Sequence, residues 1–158
     1  MRFILSFFLL SIPMLAQGGD MSDRFDGNKI VLSELEWRTR LESESFAALR
    51  QHGTEPPFDN AYWDCKKEGT YVCGGCGLPL FSSEAKFDSG TGWPSFWEPI
   101  YPDNVSLEED YKLGTPRTEV HCSRCEGHLG HVFNDGPLPT RKRYCMNSVA
   151  LRFIEKKP

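Results

Sequence analysis

Two pairs of cysteines with the spacing C-x-x-C constrain this chain more than any other feature of its sequence. The first pair is Cys73 and Cys76, and the second is Cys122 and Cys125. Each pair can form a tight turn that aims two sulfur atoms at one ion, and four thiolates are the ligand set of a structural zinc site. The alternatives are two disulfides or a redox-active C-x-x-C pair. Both turns contain the glycine or polar residues that a metal turn needs, so we expect one structural Zn²⁺ per chain.

The other two cysteines, Cys65 and Cys145, are single in the sequence. Cys145 lies in the segment Arg-Tyr-Cys-Met-Asn-Ser, residues 143–148, which reads as a strand. Residues two apart in a strand share a face, so Arg143, Cys145 and Asn147 could point the same way. A guanidinium beside a thiol favours the thiolate, which is the nucleophilic form. A buried and inert cysteine is an equally good interpretation of this segment by itself.

Residues 1–16 are typical of a secretory signal peptide. Arg2 precedes an apolar run from Phe3 to Leu10, and the segment ends on a small residue. The run is too short to span a bilayer, so we expect export to the periplasm or outside the cell and no stable membrane insertion. If translation starts at Met21 instead, the protein is cytoplasmic.

A polar linker over residues 17–30 leads to one folded domain, which we expect over 31–155. Ser33 and Glu36 fit a capping box for a first short helix, and Ser43 can start a second. The expected inward residues of these helices are Leu35, Leu41, Phe46 and Leu49. The 14 glycines and 11 prolines of the chain predict turns and short strands after the helices. The expected fold is therefore mainly β with short N-terminal helices.

Six segments are predicted strands: residues 70–73, 78–82, 105–109, 117–122, 143–146 and 150–153. Two loops lie before and between them. Residues 53–58 contain two prolines and cannot be regular structure. Residues 87–97 form a loop with two glycines that presents Trp93 and Phe96. These aromatic side chains could bind an apolar ligand, or they could cover the core.

Two histidines, His128 and His131, follow the second C-x-x-C pair. Four cysteines complete a tetrahedral site, so neither histidine is needed as a metal ligand. They are therefore candidates for proton donors or hydrogen-bond partners, although one packed and one exposed histidine is the plainer interpretation. The net charge of −4 gives no basic surplus, and we expect no nucleic-acid partner.

Together these motifs resemble those of the B-type methionine sulfoxide reductases, which reduce the R epimer of methionine sulfoxide. The matching segments are Gly53 to Phe58, Asp88 to Phe96, His128 to Pro137 and Arg143 to Ser148, with both C-x-x-C pairs. The resemblance runs from about Leu35 to Phe153. It implies two small antiparallel sheets in an Mss4-like β-tent or barrel, with zinc clamping two hairpins far from the reactive thiol.

The resemblance also implies roles for single residues. Cys145 would attack the sulfoxide sulfur and become a sulfenic acid, with Arg143 favouring its thiolate. His128 and His131 would bind and protonate the leaving oxygen. Asp135 and Asn147 would support them with hydrogen bonds. The substrate's S-methyl group would pack on Trp93, with Phe96 as a second substrate-binding aromatic, and the four paired cysteines would bind the zinc.

One position departs from the family. Many members carry a resolving cysteine where this chain has Thr91. The remaining candidate is Cys65, which could form the recycling disulfide with Cys145, and the alternative is direct reduction by an external thiol donor. Thioredoxin is the usual donor in the family, but an exported enzyme would need another thiol relay. The expected substrate is methionine-R-sulfoxide in oxidised proteins or peptides, and the expected state is a monomer.

Two other functions fit parts of the sequence. A zinc-ribbon binding module would have the same four paired cysteines and an inert Cys145. A disulfide-stapled secreted domain would have no zinc and no free thiols beyond an odd one.

Overall fold

The computed structural model describes residues 23–111 and 114–157, so the predicted signal peptide, residues 1–16, lies outside the described residues. The described chain has two α-helices, α1 (Glu34–Arg40) and α2 (Ser43–Gln51). Its nine strands are β1 (Gly69–Cys73), β2 (Pro79–Ser82), β3 (Lys86–Phe87), β4 (Ser95–Phe96), β5 (Val105–Asp110), β6 (Arg117–Cys122), β7 (His128–Phe133), β8 (Arg143–Met146) and β9 (Leu151–Glu155). No helix in these two ranges is both long and apolar enough to cross a membrane.

The strands form two antiparallel sheets. One has three strands in the order β2-β1-β9, and the other has six in the order β3-β4-β8-β7-β6-β5. The predicted fold, mainly β with two antiparallel sheets and short N-terminal helices, is confirmed. Three strands were not predicted from the sequence: β3, β4 and β7. The first two have two residues each, which is too short for an alternating pattern to show. The third contains Gly130 and has no regular alternation of polar and apolar residues.

Both helices begin where the sequence predicts. The Ser33 side chain accepts a hydrogen bond from the Glu36 N–H, and the Glu36 carboxylate accepts one from the Ser33 N–H, so the capping box is complete. The inward face of α1 differs from the prediction, because Trp37 is buried and Leu35 is 74% exposed. A seven-residue helix has only about two turns, so one large side chain is enough to cover its contact with the core. The other predicted inward residues are buried or partly buried: Leu41, Phe46 and Leu49.

Aromatic rings from both sheets meet in the core. Phe81 on β2 and Phe96 on β4 are fully buried and stack with their ring centroids 4.5 Å apart. Tyr71 on β1 contacts Phe96 edge-on, at 5.0 Å between centroids. Each such side chain contributes about 1.5–3 kcal/mol when fully buried. The two sheets are therefore joined by packing of side chains across the core.

Residues 23–32 lie against the domain. The Phe25 N–H donates to Asn104 Oδ1 at 2.8 Å, and Asn104 Nδ2 donates back to the Asp23 carbonyl at 2.8 Å. The Ile30 N–H donates to the Arg124 carbonyl at 2.7 Å. These bonds attach the segment to the start of β5 and to the turn after β6.

The six-stranded sheet aligns one row of polar side chains on one face. Cys145 on β8 pairs with His131 on β7 and with Ser95 on β4. Two residues along, Arg143 pairs with Phe133. Directly paired residues of an antiparallel sheet share a face, with Cβ atoms about 4.5–5.5 Å apart. The register therefore brings His131, Ser95 and Arg143 around the single cysteine.

Candidate active site

Cys145 lies at the wall of a cavity of about 140 Å³. The cavity is lined by Thr54, Trp93, Arg117, Gly130, His131, Phe133, Cys145, Met146 and Asn147. The thiol is only partly buried, so its sulfur is accessible from this space. A cavity this small holds only a few heavy atoms, and its walls combine an aromatic ring, an imidazole and a thiol.

Burial raises the pKa of the Cys145 thiol above its ordinary value. The Arg143 guanidinium acts in the opposite direction, as do hydrogen bonds with Thr91 and Ser95, but burial is the largest effect. The sequence therefore predicted correctly that Arg143 lowers the pKa of Cys145, but it did not predict that burial raises this pKa overall. The net effect of these surroundings favours the protonated form of the thiol.

Arg143 is held in place by two neighbours. Its Nε and Nη2 atoms each donate to Asp135 at 2.9 Å, and its guanidinium lies 4.3 Å from the centre of the Phe133 ring. The hydrogen bond from Arg143 lowers the pKa of Asp135. Asp135 is exposed and does not line the cavity, so it acts on Cys145 only through Arg143.

The loop over residues 53–58 fixes the position of Trp93. The Trp93 Nε1–H donates to the Glu55 carbonyl at 3.0 Å, and the Phe58 N–H donates to the Gly92 carbonyl at 2.9 Å. Gly92 has φ +84°, and a Cβ at this position would lie 2.7 Å from Phe58. Only glycine fits here, and the indole is thereby fixed at the edge of the cavity.

The structure places Phe96 in the core and not in the cavity, contrary to the substrate-binding role expected from the sequence. Ser95 and Phe96 form β4, and successive side chains of a strand point to opposite faces. Ser95 therefore faces Cys145, while Phe96 stacks on Phe81. A two-residue strand inside a glycine-rich loop gave no pattern from which this could be predicted.

Of the two histidines, only His131 lines the cavity. His128 is 2% exposed and lies behind it, with the ring centroids 5.5 Å apart. Burial lowers the pKa of His128 to about 4, so this ring is neutral at physiological pH. The pairing of β6 and β7 is irregular between Val120 and His121, so that His128 pairs with His121 and His131 with Glu119. The two histidines therefore lie on the same face of the sheet as neighbours, and only His131 reaches the cavity.

Asn147 is buried and joins two segments at the cavity wall. Its Nδ2 donates to the Leu129 carbonyl at 3.2 Å, and its Oδ1 accepts from the Glu55 N–H at 3.2 Å. The Glu55 carboxylate in turn accepts from the N–H groups of Ser148 and Val149. Asn147 therefore holds the 53–58 loop against the end of β8.

Two residues of the site were not found from the sequence. Arg117 lines the cavity, and its Nη2 donates to Asp110 Oδ2 at 2.5 Å. Asp110 is 3% exposed and also contacts His131. It ends the acidic run that begins at Glu108, which resembles a solvated strand face in the sequence.

The four paired cysteines meet at one point. Their sulfur atoms all lie within 4.8 Å of one another, with 3.5 Å between Cys73 and Cys125 and between Cys76 and Cys122. Four sulfurs about 2.3 Å from one zinc ion would lie about 3.8 Å apart, whereas a disulfide needs about 2.05 Å. All four cysteines are free, so the cluster fits a tetrahedral metal site and not disulfides. Hydrogen bonding with Cys122 raises the pKa of Cys73 and lowers that of Cys76.

A second group of candidate ligands, His52, Glu119 and His128, does not fit a metal in the same way. His52 Nδ1 lies 2.5 Å from Glu119 Oε1, and His128 Nδ1 lies against the same oxygen. Ligands of one tetrahedral ion with bonds of about 2.0 Å would lie about 3.3 Å apart. The three side chains form a contact of imidazoles with a carboxylate, with no room for an ion between them.

Thr91 and Cys65 differ in their access to the reactive thiol. The Thr91 Oγ1 atom lies 3.9 Å from Cys145 Sγ. Cys65 lines a different cavity, with Trp63 and Lys86. A cysteine at position 91 would therefore be adjacent to Cys145, whereas Cys65 would have to move to reach it.

Comparison with known families agrees with this geometry. The model of the SelR domain matches residues 41–155. The chain belongs to this family. It is 52% identical over 126 residues to the peptide methionine sulfoxide reductase MsrB of Hahella chejuensis, covering 80% of this chain and 91% of the relative. It is 53% identical over 129 residues to the protein of the same description from Methanosarcina mazei, covering 82% of this chain and 92% of that one.

The family of this chain is thus that of the B-type methionine sulfoxide reductases, and the resemblance read from its motifs is confirmed. A third relative, the peptide methionine sulfoxide reductase MsrB of Synechococcus sp., is 48% identical over 134 residues, covering 85% of this chain and 98% of the relative. Among solved structures, the Mis18 "Yippee-like" domain has a TM-score of 0.48 and 18% identity, covering 58% of this chain and 100% of that one.

Proposed function

We propose that this chain reduces the R epimer of methionine sulfoxide in oxidised proteins or peptides to methionine. Its family membership supports the reaction class. The observation that carries the proposal is that the Cys145 thiol, the Trp93 indole and the His131 imidazole line one small cavity. These groups correspond to a nucleophile, an apolar surface for a methyl group and a proton donor.

The chemical step balances without a further reactant. The sulfur of Cys145 attacks the sulfoxide sulfur, the oxygen passes to the cysteine, and a thiol and a sulfoxide become a sulfenic acid and a thioether. The leaving oxygen has to be protonated, because an oxide is a very poor leaving group. His131 donates this proton, and the Cys145 thiol gives its own proton to the histidine, so the proton count balances.

Trp93 accounts for the choice of epimer in this proposal. An indole face suits a polarised S-methyl group, and sulfur and aromatic rings attract each other by about 0.3–1.5 kcal/mol. The hydrogen bond from Trp93 to Glu55 fixes the ring on one side of the cavity. With the methyl group on the indole, only one configuration at sulfur directs the oxygen towards His131.

The four paired cysteines are proposed to hold one structural Zn²⁺ per chain. Tetrahedral zinc with four thiolates has no open coordination position, so its role would be structural and not catalytic. Cys73 ends β1 and Cys122 ends β6, so the ion would tie the two sheets together. None of these four residues lines the Cys145 cavity.

A thiol donor is proposed to return the sulfenic acid to the thiol, with two thiols giving one disulfide and water. The separate cavity of Cys65 supports direct attack by an external donor, such as a thioredoxin-like protein. The alternative is a first disulfide between Cys65 and Cys145. Peptide mapping after oxidation by substrate without reductant distinguishes them, since sulfenate with free Cys65 excludes the internal route.

We further propose that the chain is exported, that residues 1–16 are then removed, and that it acts as a monomer without nucleic acid. The N-terminal sequence of the protein recovered from the periplasm or medium tests the first two points. Recovery of the full chain only in the cytoplasm would contradict export. Sedimentation tests the third.

The central experiment is an assay that separates the two epimers of a methionine sulfoxide peptide, applied to the wild type and to Cys145→Ser. We expect loss of only the R epimer, and no activity in the variant. The variant should keep its bound zinc and its melting temperature. Full activity of Cys145→Ser would leave a zinc-ribbon binding module as the better interpretation.

A further inference from the structure

The most unexpected buried charge outside the matched motifs is Asp110. Four residues of β5 before it are exposed, and the strand then ends on this carboxylate, which is 3% exposed. A buried carboxylate costs several kcal/mol unless it is paired and hydrogen-bonded. Asp110 therefore requires partners that offset this cost, and two of its partners line the cavity of Cys145.

Asp110 Oδ2 accepts from two side chains of that cavity. His131 Nε2 lies 2.8 Å away and Arg117 Nη2 lies 2.5 Å away. The Asp110–Arg117 pair is directly opposed across β5 and β6, and His131 reaches it from β7. The carboxylate thus lies behind the histidine, on the side away from Cys145 on β8.

This contact sets which nitrogen of His131 carries a proton. An ionised carboxylate can only accept, so Nε2 is the donor to Asp110. The nitrogen left for a reaction is Nδ1, which makes no hydrogen bond to the described part of the chain. Nδ1 bears a proton when the ring is an imidazolium and a lone pair after that proton has been given to the sulfoxide oxygen.

We propose that Asp110, held by Arg117, is a positioning residue that fixes His131 in the tautomer and orientation from which Nδ1 delivers a proton to the leaving oxygen. Asp110 does not touch the substrate. It keeps Nε2 protonated throughout, and its negative charge stabilises the imidazolium that exists before transfer. This inference rests on the proposed reductase activity, and it adds a residue to which no role has been assigned.

The first test is a measurement on the wild-type protein. Nitrogen-15 chemical shifts of labelled histidine distinguish an Nε2–H ring from an Nδ1–H ring. We expect the neutral form of His131 to carry its proton on Nε2. A proton on Nδ1 of the neutral ring would overturn the proposal, and no variant has to fold for this result to be obtained.

The second test compares Asp110→Asn with Glu109→Gln. The first variant keeps the size of the side chain and removes the charge, while the second removes a carboxylate from the exposed face of the same strand. We expect kcat for the R epimer to fall about 10- to 100-fold in Asp110→Asn, with KM changed less than about threefold, because proton transfer contributes about 10²–10⁴ to such reactions. Glu109→Gln should match the wild type.

An unchanged kcat in folded Asp110→Asn would overturn the positioning role and leave the proposed function intact. A purely structural role predicts a lower melting temperature with the kcat of the folded fraction unchanged, which also overturns it. Absence of activity in the wild type would instead refute the reductase function, while the tautomer measurement would still report on the Asp110 contact.

Discussion

The four clustered cysteines and the single Cys145 are the same residue in two opposite surroundings. The clustered sulfurs all lie within 4.8 Å of one another, and two of the pairs are 3.5 Å apart. Cys145 instead lines a cavity, with the Arg143 guanidinium on its own strand and the His131 imidazole on the neighbouring strand. The side chains that surround a cysteine therefore determine whether its thiol suits a structural or a reactive role.

The largest effect should follow from breaking the cluster. Cys73→Ser removes one of four ligands, and we expect loss of bound zinc and a fall of more than about 3 kcal/mol in the free energy of unfolding. Urea unfolding and metal analysis measure both. Cys145→Ser is the matched control, because it removes a thiol from the other site and should change neither. Equal stability of the two variants would contradict the division between the sites.

The next effect concerns the cavity wall. Trp93→Ala removes the surface proposed for the methyl group, and we expect kcat/KM for the R epimer to fall about 30-fold, which corresponds to about 2 kcal/mol of buried contact. Discrimination against the S epimer should fall as well. Trp97→Ala serves as control, since Trp97 does not line the cavity. If Trp93→Ala leaves the ratio of kcat/KM for the R and S epimers unchanged, the indole does not determine the selectivity.

A smaller effect should appear in the reactivity of the thiol. Burial raises the pKa of Cys145, and Arg143 lowers it by less. Arg143→Gln removes the lowering contribution, so the pKa rises further and less thiolate is present at neutral pH. The alkylation rate of Cys145 by iodoacetamide should therefore fall at pH 7, and its midpoint should move to higher pH. Arg141→Gln, at an exposed position nearby, should leave both unchanged, and an identical pH profile for the two variants would contradict the role of Arg143.

The smallest expected effect concerns position 91, where this chain has a threonine in place of a resolving cysteine. Thr91 Oγ1 lies 3.9 Å from Cys145 Sγ, so a sulfur at position 91 needs to move only about 2 Å to form a disulfide. In Thr91→Cys we expect one turnover of substrate without reductant to join positions 91 and 145, as thiol counting and peptide mapping would show. Ser106→Cys, on the exposed side of β5, should form no such bond. Accumulation of sulfenate in both variants would show that the loop holds position 91 away from Cys145.

The accuracy of sequence-based prediction differed between the elements. The capping box at Ser33, six of the seven longer strands and the thiol cluster were predicted correctly, because each depends on a pattern along the chain, whereas β7 was missed. Leu35 and Phe96 were assigned to the wrong surroundings, since a short helix and a two-residue strand contain too few residues to define a face. Asp110 was not found at all, because its function depends on partners on β6 and β7.

Patterns along the chain were enough to identify the family, the mainly β fold, the four paired cysteines and the two single ones, Cys65 and Cys145. These features are local in the chain, as spacings, caps and turns. Only the tertiary structure decided that His131 faces the cavity while His128 lies behind it, that burial outweighs Arg143 at the thiol, and that a carboxylate from β5 holds the histidine. Those outcomes depend on strand register and on distance from water, which arise only when segments far apart in the chain pack together.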